Sequence, residues 1–390
     1  LPAPVRILVS CGEPSGDLYG AELVRHLRGL LPALQVFGLG GDRLAAEQAS
    51  LVAHVRDLAV VGLLEVVRHL RKLRGIFKTL LDEVDRAKPD LAVLVDYPDF
   101  NLRLARELHA RGVPVVYYVS PQLWAWRGGR MGAIRRAVAR MLVIFPFEEE
   151  LYRNAGVPVT FVGHPLLDLV KPAPDRVGFL AGLGLDPEQD LVALLPGSRP
   201  QEIAHNLPAL AEATDLVSKA RPRTQFVVAA APSVRSDLYT PLLGGRRIPV
   251  IVGQTQGLVG AARLAWVASG TATVETAILG TPMLVVYRLS SLTYLLGRPF
   301  VRVDQFAMVN LIAGRPFVKE LIQDGFTAES VASEALRLLG DEDAVRAMRN
   351  DLRAVKGRLG GPGASGRAAE AVRQELVRVR PDIDTAKGSV

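Results

Sequence analysis

The sequence predicts an α/β protein of two doubly wound domains in tandem, and three features carry that prediction. Apolar runs rich in Val and Leu alternate with helical patterns along most of the chain, as expected of parallel sheets covered by helices on both faces. At 390 residues the chain is too long for one ordinary domain and suits two of about 150–200. Turn residues, Val162-Gly163-His164-Pro165 and then Lys171-Pro172-Ala173-Pro174, interrupt the alternation near its middle.

In order, a strand over Val5–Ser10 ends in Gly12-Glu13-Pro14-Ser15-Gly16-Asp17 and a helix follows. The unit recurs as Val36–Leu39 before Gly40-Gly41, Leu91–Val95 before Asp96-Tyr97-Pro98-Asp99, and Val115–Val119 before Ser120-Pro121. It restarts with Leu191–Leu195 before Pro196-Gly197-Ser198-Arg199, then Gln225–Ala229, Pro249–Val252, Ala265–Ala268 and Met283–Tyr287. Beyond Phe326 the pattern is helical to about Leu359, and Asp341-Glu342-Asp343 reads as an acidic helix start. A break at Gly360–Gly363 precedes a last helix, Arg367–Val379. The expected division is 1–167 and 168–345 for the two domains, 346–380 for C-terminal helices returning to the first, and 381–390 as a loose tail.

Composition limits the function classes. Hydrophobic residues at 49% against 22% charged exclude a disordered chain, and 36 Gly with 26 Pro show no collagen period. The mean hydropathy of +0.21 raises the membrane question, but apolar runs such as Leu91–Val95 fall far short of the ~20 residues a spanning helix needs. Leu1–Ser10 runs into a strand pattern and not a signal sequence, and a lone Cys11 fits a reducing cytoplasm. The charge, 47 basic minus 40 acidic or +7, is too modest and too evenly spread for a nucleic-acid partner. Locally, Ala110–Pro146 holds Arg111, Arg127, Arg130, Arg135, Arg136 and Arg140 with no carboxylate. That stretch is expected to face an anion, or to be a solvated basic face.

Several loops can carry chemistry. Ser269-Gly270-Thr271-Ala272-Thr273 joins a strand to a helix, so small residues admit a ligand to the backbone while unpaired N–H groups face it. Thr271 and Thr273 add hydroxyls, and Glu275 on the first turn suits ribose hydroxyls or simply the helix dipole; a well-capped helix gives the same pattern. Asp96 and Asp99 follow a buried strand, where a carboxylate can act as general base or merely shape a turn. Arg199 could neutralise a leaving diphosphate bidentately, or be a surface arginine. No histidine pair has metal spacing, and none of the six is read as a ligand. A helix over Val60–Arg86 sets an apolar stripe (Leu63, Val66, Val67, Leu70, Leu73, Phe77, Leu80, Leu81, Val84) beside Arg68, Arg71, Lys72 and Lys78. The same pattern suits a core helix, but Val60-Val61-Gly62-Leu63-Leu64 tips the expectation toward an anionic membrane. Trp124 and Trp126 beside Arg127 suit the same interface.

These loops together resemble the lipid-A-disaccharide synthase family of inverting, membrane-associated glycosyltransferases with the two-domain, Rossmann-like GT-B fold. The resemblance lies in Gly12–Asp17, Asp96–Asn101, Tyr118–Arg127, Phe161–Pro165, Leu195–Arg199, Ala268–Glu275 and Asn310–Arg315, in order over about residues 5–345. Pro14 departs from it, standing where the family usually has threonine, and Gln122 lies at a variable position. The resemblance implies a UDP-2,3-diacylglucosamine donor, a 2,3-diacylglucosamine 1-phosphate acceptor, and a β-1,6 tetraacyldisaccharide 1-phosphate product of lipid A biosynthesis. It implies Asp96 as general base and Arg199 at the leaving UDP. It further implies Gly16, Asp17, Ser198, Ser269, Gly270, Thr271, Thr273, Glu275 and Asn310 on the substrate and UDP side. No cofactor and no metal is expected. A peripheral place on the cytoplasmic face of the inner membrane and a homodimer by C-terminal exchange are also implied. The alternatives are another GT-B enzyme, either a UDP-sugar 2-epimerase or the peptidoglycan N-acetylglucosaminyltransferase, or a catalytically silent lipid or nucleotide binder.

Overall fold

The computed structural model describes residues 4–58, 66–123, 128–173, 175–232, 234–288 and 307–383, with the backbone alone at 66–70 and 128. The chain divides into two units, Leu1–Pro165 with Gly360–Val390, and Leu166–Leu359. The segment grouped from sequence as 346–380 therefore divides at Gly360. The helix Glu342–Arg358 packs with Thr271–Leu279, Met308–Ala313 and Ala328–Gly340 in the second unit. Its start is the acidic one expected, Asp341 accepting from the Ala344 N–H at 2.9 Å.

The first unit is built on β1 (Arg6–Cys11), β2 (Gln35–Gly40), β3 (Ser50–His54), β4 (Leu91–Val95), β5 (Val115–Tyr118), β6 (Arg140–Val143) and β7 (Val159–Phe161). They form a parallel sheet in the order β3-β2-β1-β4-β5-β6-β7. Ile7, Leu8, Val9 and all of β4 have no exposed surface, because helices cover both faces of the central strands. β3, β6 and β7, shorter or less apolar, are not among the strands expected from sequence.

The chain lays β1, β2 and β3 outward in one direction, then returns to place β4 on the other side of β1. Such a reversal opens a crevice at the carboxyl ends of the two central strands. The loops leaving β1 and β4 are Gly12–Glu13 and Asp96–Tyr97. The second unit repeats the plan with β8 (Asp190–Leu195), β9 (Thr224–Ala230), β10 (Val250–Val252), β11 (Leu264–Ala268), β12 (Met283–Tyr287) and β13 (Glu320–Ile322), in the order β10-β9-β8-β11-β12-β13. Its reversal lies between β8 and β11, whose loops are Pro196–Arg199 and Ser269–Gly270.

The helix Val66–Ala87 settles one expectation differently. Leu80 and Val84 are buried in the core of the first unit, and Leu73, Ile76, Phe77 and Leu81 pack against it. Phe77 meets Phe100 edge-on with ring centroids 5.3 Å apart. The apolar stripe from Leu73 onward is thus a core face and not a membrane face. Its periodicity is the same in either role, so only the presence of a partner surface decides. Lys72 is exposed and paired with Asp57 at 2.9 Å, and Arg71 is exposed. Leu63 and Leu64 lie outside the described residues, as does the Arg68 side chain. No helix among the described residues is long and apolar enough to cross a membrane.

The last helix, Ala364–Val379, lies on Pro14–Leu30 of its own first unit. Arg367 ties it down by donating to the carbonyls of Val162, Gly361 and Pro362 at 2.6–2.8 Å. Farther along, Glu375 meets Arg140 at 2.5 Å, both side chains largely buried. Removing one partner of such a pair strands the other charge, so Glu375→Ala should lower unfolding stability by about 3 kcal/mol. Arg140→Met with Glu375→Leu should recover most of that loss. Urea denaturation of the three proteins checks it; a wild-type midpoint for Glu375→Ala would show that the helix is held by other contacts.

Candidate active site

At the first reversal two carboxylates that look alike in sequence have different environments. Asp17, on the helix Pro14–Leu30, is buried, and its oxygens accept from the N–H groups of Gly41, Leu44 and Arg43 at 2.6–3.2 Å. It caps the short helix Asp42–Ala46. Gly41 has to be glycine for this, since a Cβ there would lie 2.6 Å from Asp17 Oδ2. Gly16, also buried, passes close under β4, its Cβ position 3.6 Å from the Val95 carbonyl oxygen.

Asp96 stands at the end of β4 in a left-handed conformation, φ 48°, followed by Tyr97 at φ 50°. On the neighbouring strand Val119 has φ 65°, an outlier for a β-branched residue. Three strained non-glycine residues at two adjacent strand ends mark a site that the surrounding structure over-determines. The restraints are visible. The Asp96 N–H donates to the Tyr118 carbonyl at 2.9 Å, and the Asp96 carbonyl accepts from Tyr117 Oη at 2.7 Å and Asn101 Nδ2 at 2.8 Å. The Tyr97 ring lies over Gly12, where a Cβ would come within 2.0 Å of it. Burial and the nearby Glu13 and Asp99 charges raise the Tyr97 phenol pKa. Asp99 is exposed and ion-paired with Arg130. Ser120 is buried and shares a 2.7 Å hydrogen bond with Tyr152.

At the second reversal the Ser198 N–H donates to Glu202 Oε2 at 3.0 Å while Arg199 Nη1 lies 3.2 Å from Glu202 Oε1. One carboxylate, in the first turn of the helix Pro200–Ala220, thus holds both the loop backbone and the guanidinium. Gly270 adopts φ 146°, forbidden to other residues, as it turns from β11 into the helix Thr271–Leu279. Ser269 directly follows the strand, its N–H donating to the Val286 carbonyl at 3.0 Å. Thr271 and Gly270 are exposed at the N-terminus. Thr273 is buried and its hydroxyl donates to the Gly270 carbonyl at 2.7 Å, so it shapes the loop from within. Glu275 is the fifth helical residue and not, as expected, in the first turn. It is half-buried, and burial raises its carboxyl pKa. Asn310 is buried, its amide bonded to the Val318 carbonyl, Glu320 Oε1 and the N–H groups of Phe317 and Val318 at 2.7–3.1 Å. It pins the turn before β13.

Within the first unit Gly16 lies against the end of β4, just before Asp96, while Asp17 faces the start of the helix Asp42–Ala46. In the second unit Ser198 and Arg199 share one loop, and Ser269, Gly270, Thr271, Thr273 and Glu275 lie on the next loop and its helix. Trp124, Trp126 and Arg127 lie outside the described residues. The basic stretch around them is less anionophilic than its sequence implies. Arg111 meets Asp85 and Glu107, Arg130 meets Asp99, and Arg140 meets Glu375, carboxylates contributed from outside the stretch. Arg135 and Arg136 are exposed. Among the described residues no group of three or more His, Cys, Asp or Glu side chains converges as metal ligands do. Sequence reasoning assigned nothing to Asn101, Tyr117 or Glu202. The signals for the first were its place at the end of the stretch Asp96–Asn101 and its position as the one polar residue on a helix face otherwise formed by Phe100, Leu104, Ala105 and Leu108.

Two Rossmann-like domains, each with its loops at a strand-order reversal, define a GT-B protein. Solved structures agree on the fold: the UDP-GlcNAc 2-epimerase from Neisseria meningitidis bound to UDP-GlcNAc has a TM-score of 0.68 at 14% identity, over 95% of this chain and 100% of that one. CalG4, the calicheamicin glycosyltransferase, gives 0.58 at 18% over 96% and 99%. The family is set by sequence: the lipid-A-disaccharide synthetase family profile matches residues 7–372, and the chain belongs to that family of glycosyltransferases. Similar relatives are the lipid-A-disaccharide synthases of Solibacter usitatus, 45% identical over 95% of this chain and 97% of the relative, and of Myxococcus xanthus, 45% over 96% and 98%.

Glu275 yields a pH-dependent prediction. Its carboxyl pKa is raised by burial, so the unfolded chain ionises first as pH rises. Stability therefore falls through the window above about pH 4.3, the ordinary Glu value, up to the raised folded value. Glu275→Gln lacks that loss and should melt higher than wild type at pH 8, the two converging near pH 3.5. If the glutamate also serves the donor ribose, UDP affinity falls in the same variant. Equal melting at pH 8 would show that the carboxylate is well solvated.

Proposed function

We propose that the protein transfers 2,3-diacylglucosamine from its UDP donor to the 6-hydroxyl of 2,3-diacylglucosamine 1-phosphate, giving the β-1,6 disaccharide and UDP. The full-length family match carries this reading. Asp96 takes the acceptor proton, since a carboxylate held rigidly at a strand end is suited to general-base work. The oxygen so freed attacks the anomeric carbon, and the glycosidic bond to UDP breaks with inversion. Arg199, the loop at Ser198, Ser269 and Gly270, and the N-terminus at Thr271 hold the departing diphosphate, whose charge helix N–H groups and a guanidinium can meet without a cation. Glu275 takes the ribose hydroxyls. Asp17, Gly16, Thr273 and Asn310 act on substrates through the loops they shape.

Incubating the protein with both diacylated substrates and looking for the tetraacyldisaccharide 1-phosphate tests the activity. Asp96→Asn should lower kcat by ~10²–10⁴ with UDP affinity unchanged. Arg199→Ala should lose kcat/KM, with Lys restoring part of it because a point charge lacks the fork. Turnover should survive EDTA. A product-forming Asp96→Asn enzyme at wild-type rate would remove Asp96 from the reaction, and loss of activity in EDTA restored by Mg²⁺ would overturn the cation-free account.

We also place the protein peripherally on the cytoplasmic face of the inner membrane, where both acylated substrates reside. With the Leu73–Val84 stripe inside the core, support for this comes from the exposed Arg135 and Arg136; each basic side chain near an anionic surface contributes on the order of 1 kcal/mol. Binding to anionic vesicles should weaken with added salt, and Arg135→Glu with Arg136→Glu should lower it while UDP affinity holds. Vesicle binding indifferent to both would place the contact elsewhere. A homodimer by exchange of Ala364–Val379, hinged at Gly360–Gly363, belongs to the same reading. Sedimentation showing only monomer at every concentration would remove it.

A further inference from the structure

We propose that Asn101, with Tyr117, is the positioning residue that aims the Asp96 carboxylate, an inference that rests on Asp96 being the general base. Asn101 sits on the helix Pro98–Ala110 with no exposed surface. Its Oδ1 accepts from Ser10 Oγ at 2.7 Å, which fixes the amide orientation. Its Nδ2 then points into a cluster of strand-end carbonyls: Asp96 at 2.8 Å, Val95 at 3.2 Å and Ser10 at 3.3 Å. An amide nitrogen carries two hydrogens, so it cannot serve three carbonyls equally. The shortest contact is to Asp96.

That carbonyl also receives the Tyr117 hydroxyl at 2.7 Å. Burial and the Asp96 charge raise the Tyr117 pKa, so the phenol stays a protonated donor. Two donors on one carbonyl fix the peptide plane between Asp96 and Tyr97. The plane sets ψ of the first and φ of the second, and both residues are left-handed. Each such conformation is strained outside glycine and relaxes once its restraints are removed. Relaxation would swing the Cα–Cβ bond of Asp96 and turn its carboxylate away. Asn101 also joins β1 to β4 through Ser10, so it sits astride the strand-order reversal itself.

The test is a double-mutant cycle on the full-length enzyme with both substrates. Tyr117→Phe and Asn101→Ala should each lower kcat about tenfold or more, with UDP affinity unchanged. In an Asp96→Asn background the same changes should have no further effect on residual turnover, because they act through a group already removed. Should Asn101→Ala, which leaves several buried groups unpaired, fail to fold, Tyr117→Phe, which removes one hydroxyl, carries the test alone. Wild-type kcat for Tyr117→Phe, with Asp96→Asn impaired, overturns the positioning role and leaves the base in place. Equal losses with and without the Asp96 carboxylate show a general structural effect and overturn it too. A fully active Asp96→Asn enzyme removes the reading beneath the proposal, and the proposal with it.

Discussion

The reversal of strand order in each sheet is the constraint on which the candidate site depends. A right-handed strand–helix–strand connection lays successive strands to one side only, so returning to the other side leaves two neighbouring strands whose connections diverge. β1 and β4 are such a pair, as are β8 and β11. Their carboxyl ends are left uncovered by crossover helices, and there alone can a loop present side chains and backbone N–H groups together. Asp96, Arg199 and the Ser269–Thr271 loop all leave a strand of one of these pairs. Their sequence separation is large because topology and not local sequence assembles each half.

Placement alone does not make a carboxylate reactive, and the first unit shows why. Asp17 and Asp96 both follow central strands, yet Asp17 accepts three backbone N–H bonds as a cap. Those bonds take up its acceptor sites, which suits a helix cap and not a proton acceptor. Asp96 is held by its backbone. Its N–H and carbonyl take the restraining bonds, so the main chain fixes where its side chain leaves the strand end.

Much of this was legible in the sequence, for physical reasons. Leu91–Val95 reads as a strand because all five residues are buried on both faces, and continuous apolar character is what double burial selects. β3 and β13 were not legible: edge strands such as Ser50–His54 are half-exposed and carry little hydrophobic signal. The membrane expectation for Val60–Arg86 failed in its described part because amphipathicity reports that a helix has a partner surface, not which one. The arginines of Ala110–Pro146 misled similarly, since Asp85, Asp99, Glu107 and Glu375 all lie outside that stretch. Asp17 and Asn310 appeared as site residues because a motif records that a polar residue is needed, and a cap or a turn needs one as much as a ligand does.

The pair Arg199–Glu202 shows how the second unit balances these demands. Arg199 is 61% exposed, and an ion pair that open to water contributes only about 0–1 kcal/mol. Stability does not explain it. Its geometry does: Glu202 gathers the Ser198 N–H and the guanidinium onto one carboxylate, directing two donors to a common point beside the helix start at Pro200. In the proposed role, Glu202 organises donors that a diphosphate would take over, because both anions accept the same hydrogen bonds. The exposure that makes the pair weak as a stabiliser also means that, in the role proposed for Arg199, little free energy would be lost if a diphosphate drew the guanidinium away. A buried arginine would hold its partner more firmly and respond less. The second unit therefore keeps its charged donors at the surface and buries the residues that shape the loops, Thr273 and Asn310, where satisfied hydrogen bonds can hold the backbone in place.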